Sequence, residues 1–118
     1  MREFRTVLFA LAAGVVAAWP LPAGAHAILL ESRPAIGATV AAGPVHLVLR
    51  YNSRIDQARS RLELRRVGKA PVTLALTPSG PDTLEADANL AVGAWTLRWQ
   101  VLAVDGHITR GDVAVVVK

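Results

Sequence analysis

The chain of 118 residues contains no cysteine, which excludes disulfide staples, thiolate metal sites, iron–sulfur clusters and cysteine nucleophiles. Its single methionine is Met1, so no thioether is available elsewhere to favour a soft, reduced metal ion. Long apolar runs are also missing. The most extended, Thr6 to Trp19, falls short of the roughly 20 residues that cross a bilayer as a helix. Glycine-rich phosphate cradles and a nucleophile elbow are absent, and the lone pair Gly106 and Gly111 lacks the strand–loop–helix context such a cradle needs. No internal repeat, low-complexity tract or linker divides the chain, and its length suits one folded domain.

Charge of either sign is modest. The formal net charge is +4, of which Arg2, Glu3 and Arg5 together supply one unit. The remaining arginines are scattered from Arg33 to Arg110, thickening only at Arg59, Arg61, Arg65 and Arg66. The basic stripe expected of a nucleic-acid binder does not form, so nucleic acid is not expected as a partner.

What is present begins with an export signal. Arg2 and Arg5 precede the apolar run, and Ala23-Gly24-Ala25 supplies the small-x-small pattern accepted by a signal peptidase. Residues 1–25 are therefore expected to be a cleaved signal peptide, residues 26–118 the working domain, and His26 its first residue. After cleavage the protein is expected outside the cytoplasm and free of the membrane.

Beyond His26, apolar and polar residues alternate with a period of two, and turn residues break the runs. This pattern predicts seven strands, near Ala27–Glu31, Val45–Tyr51, Arg61–Val67, Val72–Leu76, Thr83–Ala86, Ala94–Val104 and Asp112–Val117. Val45, Leu47, Leu49 and Tyr51 share one face, as do Trp95, Leu97, Trp99 and Val101, and Val113, Val115 and Val117. Those faces are expected to meet in the core of an all-β sandwich.

Three histidines occur, His26, His46 and His107. As a first residue, His26 offers an α-amine beside its imidazole, and the amine nitrogen and Nδ1 close a six-membered chelate around one ion. An α-amine with an ordinary pKa of about 7.7–8.0 loses its proton to a metal at little cost near neutrality. In Asp105-Gly106-His107 the residues i and i+2 of extended backbone project together, offering a carboxylate oxygen and a ring nitrogen. An Asp-Gly turn beside a merely solvated histidine is the ordinary reading of that tripeptide. If all three residues share one end of the sandwich, the set of amine, two imidazoles and carboxylate suits Cu(II) best, then Ni(II), with Zn(II) a weaker competitor. Alternation turns His46 outward from Val45-His46-Leu47, to the surface. His26-Ala27-Ile28 has no histidine in third place, so tight binding needs a folded site rather than the flexible amino-terminal motif. Trp95 and Trp99 are expected to pack in the core. Glu31, Ser32, Tyr51 and Asn52 are candidates for orienting the ligands, with no placement from sequence.

The ordered combination of His26-Ala27, Ser32-Arg33-Pro34-Ala35-Ile36-Gly37-Ala38, Val48-Leu49-Arg50-Tyr51-Asn52-Ser53, Gly93-Ala94-Trp95-Thr96-Leu97-Arg98-Trp99 and Val104-Asp105-Gly106-His107 resembles the CopC family of periplasmic copper-resistance proteins. The resemblance runs the length of residues 26–118. It implies a cupredoxin-like, Ig-like, seven-stranded Greek-key β-sandwich or barrel that binds one Cu(II) through a histidine brace. The brace falls on His26, Asp105 and His107. The methionine-rich Cu(I) segment of some members has no counterpart here, so a Cu(II)-only protein is expected. The resemblance further implies a periplasmic, monomeric carrier or sequestering protein that serves copper resistance and homeostasis. It would have a separate inner-membrane copper importer of the CopD type as partner and no enzymatic turnover. A histidine brace also occurs in copper monooxygenases acting on polysaccharide. That alternative is disfavoured because the short chain leaves little area for a substrate platform and Asp105 would fill a position that oxygen activation needs open.

Overall fold

Alternation of apolar and polar side chains is realised strand by strand in a computed structural model that describes residues 26–118. The expected signal peptide and its cleavage point lie outside the described residues. Nine strands form: β1 (Leu29–Arg33), β2 (Ala38–Val40), β3 (Gly43–Tyr51), β4 (Arg61–Arg65), β5 (Val72–Leu74), β6 (Leu76–Thr77), β7 (Thr83–Leu90), β8 (Gly93–Leu102) and β9 (Ile108–Val117). One 3-10 turn, Gln57–Arg59, is the helical element among the described residues, and no helix there is long and apolar enough to cross a membrane.

The strands make two facing sheets, one in the order β1-β3-β7-β6 and the other β2-β9-β8-β4-β5. Strands of one sheet are interrupted in sequence by strands of the other, which gives the expected Greek-key β-sandwich. Every pairing is antiparallel except β2 with β9. Two of the nine strands had no separate counterpart in the sequence pattern. β2 is three residues long, too short to show a period of two, and is held by its parallel ladder to Val115–Val117. The expected strand Val72–Leu76 divides at Ala75, because β5 pairs with β4 in one sheet while β6 pairs with β7 in the other.

The three apolar faces read from the pattern do meet. Leu47, Leu49, Tyr51, Leu97, Trp99, Val101, Val113, Val115 and Val117 are all buried, joined by Leu62, Leu84 and Ala86. Truncating a fully buried leucine such as Leu49 in such a core costs about 2–5 kcal/mol. Tyr51 and Trp99 meet edge to face, with centroids 5.2 Å apart, a favourable aromatic geometry. Their polar atoms, Tyr51 Oη and Trp99 Nε1, are buried without a hydrogen-bond partner, and burial pushes the Tyr51 phenol far above its ordinary value. Trp95 departs from simple core packing. It is half-buried at the rim, where the Arg66 guanidinium lies 4.5 Å over its ring and its Nε1 donates to the Ala91 carbonyl at 2.8 Å.

Gly111 stands opposite Trp99 in the β8–β9 ladder. A Cβ at position 111 would lie 2.6 Å from Trp99 Cε2, far closer than van der Waals contact allows. The tryptophan fits because its cross-strand neighbour has no side chain.

His46 lies on the outer face, as the alternation requires. Its Nδ1 is 2.7 Å from Asp87 Oδ1 and its Nε2 is 2.7 Å from Glu85 Oε1. The hydrogen bond with Asp87, then that with Glu85, raises the imidazole pKa above its ordinary value.

Two outcomes test this packing. The raised folded-state pKa means that the His46 contribution to stability is complete below about pH 6.5 and is lost as pH rises through the folded-state value. Urea midpoints measured across neutrality should therefore fall less steeply for His46→Gln than for the wild type, and identical slopes would remove the assignment. Gly111→Ala should destabilise the fold by about 1–3 kcal/mol through overpacking against Trp99, read from the urea midpoint and from a shift in tryptophan emission.

Candidate metal centre

The loop that carries Asp105 and His107 is fastened from below. Ser60, buried after the 3-10 turn, donates Oγ–H to the Asp56 carbonyl at 2.7 Å and accepts from the Leu102 N–H at 3.1 Å. The Asp56 N–H donates to the Leu102 carbonyl at 2.8 Å, and Ile55 bridges to Ala103. Within the loop, the Ala103 N–H donates to the His107 carbonyl and the Gly106 N–H to the Ala103 carbonyl, both at 2.8 Å. Gly106 sits at φ +97°, a backbone region where a side chain would be strained. These bonds hold the loop as a tight hairpin between β8 and β9.

The segment bearing His26 is fastened to the same end. Ala27 is buried, and its carbonyl accepts from Thr109 Oγ1 at 2.9 Å. The Ile28 N–H donates to Asn52 Oδ1 at 2.8 Å, and the Asn52 N–H returns a bond to the Ile28 carbonyl at 3.0 Å. The consequence is an imidazole pair. The rings of His26 and His107 stand 5.1 Å apart between centroids at an interplanar angle of 79°.

Asp105 lies beside His107 but faces its own turn. Its Oδ1 accepts from the His107 backbone N–H at 3.1 Å and stands 3.3 Å from His107 Nδ1. The backbone donor first, and the His107 ring after it, hold the Asp105 carboxyl below its ordinary range. Among the described residues, no three histidine, aspartate or glutamate side chains converge on a common point that would hold a metal ion. The structure thus brings His26 and His107 together and places Asp105 next to one of them, with its Oδ1 engaged by the loop backbone. His46 is apart from this group, on the outer face of β3.

Of the four residues considered as orienting groups, Asn52 touches the His26 segment directly. Tyr51 is committed to the core against Trp99, Ser32 Oγ donates to the Pro34 carbonyl at 2.7 Å, and Glu31 pairs with Arg33 and Arg50. Thr109 was not foreseen. Its role follows from β9 beginning at Ile108, four residues before the strand expected from sequence; Thr109 and Gly111 interrupt the valine alternation that marks the rest of β9.

Two facing sheets with interleaved strands place the domain in the class of small Greek-key β-sandwich proteins. Residues 29–118 match the model of the CopC domain, and the chain belongs to the CopC family. Its fold is similar to that of CopC from Methylosinus trichosporium OB3b, with 28% identity, a TM-score of 0.69, and coverage of 79% of this chain and 94% of that one. It is also similar in fold to PcoC, a methionine-rich copper resistance protein from Escherichia coli, with 24% identity, a TM-score of 0.67, and coverage of 80% and 100%. No curated protein sequence matches the chain.

The Asn52 clamp can be tested directly. Asn52→Ala leaves the Ile28 N–H without its acceptor and should lower stability by about 1 kcal/mol, with the amide of Ile28 exchanging faster in hydrogen-exchange measurements while that of Leu49 keeps its protection.

Proposed function

We propose that this protein binds one Cu(II) at the end of the sandwich marked by His26 and His107, and carries or sequesters it in the periplasm for copper resistance and homeostasis. The observation that carries this reading is the pair of imidazoles 5.1 Å apart, delivered by segments 81 positions apart in the chain. Two imidazoles bound to one ion through nitrogen–metal bonds of about 2.0 Å place their centroids about 4.5–6.3 Å apart, from adjacent to opposite positions. The observed spacing falls inside that window. Family membership and the copper-resistance relative PcoC support the same cargo.

In this reading residues 1–25 direct export and are removed, which converts the nitrogen of His26 from a peptide amide into a free amine. The amine and the two imidazoles supply three nitrogen donors. Asp105 supplies an oxygen donor once its carboxylate turns away from the His107 backbone N–H. A carboxylate with an ordinary pKa of about 3.9 is anionic at neutral pH. An N,O set of this kind, with no sulfur among the residues from His26 onward, favours the oxidised ion. The bound ion is cargo, held without turnover, in a monomer. It would be passed to an inner-membrane copper importer of the CopD type.

A copper titration of protein beginning at His26 tests the reading. His107→Ala should weaken Cu(II) binding at least about tenfold and change the electron paramagnetic resonance spectrum, whereas His46→Ala should do neither. Acidification should release the ion, because amine, imidazoles and carboxylate all compete for protons. Equal losses from both variants, or retention unchanged at pH 4, would overturn it.

A further inference from the structure

The outer face of β4, β8 and β9 carries three cross-strand rows. Arg61, Gln100 and Arg110 form the first, Glu63, Arg98 and Asp112 the second, and Arg65, Thr96 and Ala114 the third. Both carboxylates are already used. Glu63 pairs with Arg65 at 2.8 Å, and Asp112 with Arg98 at 3.3 Å. Among the described residues, Arg61 and Arg110 have no carboxylate partner. They flank Gln100, whose Oε1 accepts from Arg110 Nε at 2.7 Å, so one guanidinium is fixed over the central strand. The two arginines line a shallow concavity of about 230 Å³ together with Arg65, Arg98 and Glu63.

The first row lies two register pairs along the ladder from the Leu102–Ile108 pair that closes the 103–107 loop. Beyond it, Ile108 and Val104 are 50% and 66% exposed. A strip of two unpaired cations therefore continues into exposed apolar side chains beside His107. Arg61 and Arg110 stem from the two strands that flank β8, roughly 9–10 Å apart at the backbone, and their guanidinium forks suit carboxylates carried on a chain. A duplex presenting one charge per about 1.7 Å would meet Glu63 and Asp112 in the next row.

We propose that this face docks an acidic polypeptide segment of a partner protein, with carboxylates on Arg61 and Arg110 and apolar side chains over Val104 and Ile108. The location beside the copper-site loop draws on the proposed function; the charge pattern stands without it. Surface charge of this kind accelerates encounter and makes association strongly dependent on ionic strength.

A short peptide of alternating glutamate and alanine, titrated into ¹⁵N-labelled protein, serves as the probe, with a glutamine–alanine peptide as control. Shifts should concentrate at residues 61–65, 98–104 and 108–112, and binding should weaken steeply with added salt. Arg61→Gln with Arg110→Gln should weaken the peptide about tenfold or more, with the remaining amide spectrum unchanged and Cu(II) affinity retained. Shifts spread over the whole surface, an unaltered affinity in the double variant, or inorganic phosphate displacing the peptide at equal concentration would each overturn the proposal. The last outcome would define a simple oxyanion site. If the peptide binds and the wild type fails to take up Cu(II), the docking face stands and the copper reading falls.

Discussion

The β8–β9 ladder is the constraint on which the rest of the molecule depends. Ten consecutive pairs, from Gly93–Val117 to Leu102–Ile108, lock two strands in one register. A slip of one residue would turn every side chain to the other face. The register puts Leu97, Trp99 and Val101 into the core with Val113, Val115 and Val117, and sends Arg98, Gln100, Arg110 and Asp112 outward. It also sets where the hairpin turns, and hence where Asp105 and His107 stand. Thr109, one step inside the hairpin, then reaches the Ala27 carbonyl and draws His26 to the same place. Core, candidate centre and basic face are three results of one pairing.

The two histidine environments differ for reasons of geometry rather than sequence type. His46 has a carboxylate on each ring nitrogen, so both of its bonding positions are spoken for and they point in opposite directions. When protonated, such an imidazole offsets part of the charge of Glu85 and Asp87 across the strand pair, a cross-strand pairing of the ordinary kind. His107 has one ring nitrogen near Asp105 and a second imidazole across from it. Only the latter setting places a second imidazole beside the first. Asp105 is engaged with its own loop, where the bond from the His107 N–H to its Oδ1 stabilises the turn.

Much of the fold was legible because burial is one-sided and therefore periodic. The core faces of β3, β8 and the later part of β9 were read directly from alternation, as was the outward direction of His46. What escaped had a physical cause in each case. β2 is too short to carry a period. The division at Ala75 depends on which sheet each half pairs with, a long-range choice. The early start of β9 is masked by Thr109 and Gly111, one serving the His26 segment and the other making room for Trp99. Of the candidate centre, a shared end for His26, Asp105 and His107 was posed only as a condition, and the turn-facing carboxylate oxygen of Asp105 was not foreseen. A side-chain torsion of that kind is decided by a single local hydrogen bond that residue spacing does not encode.

The Trp99–Gly111 contact has a consequence for how related sequences can diverge. The indole occupies the volume where a methyl group on residue 111 would project, so any Cβ there is tolerated only if position 99 shrinks. A smaller residue at 99 with glycine retained at 111 would open a void. Each single exchange is disfavoured while the joint exchange is permitted, so the two positions are epistatic and should drift as a unit, although they stand twelve places apart along the polypeptide.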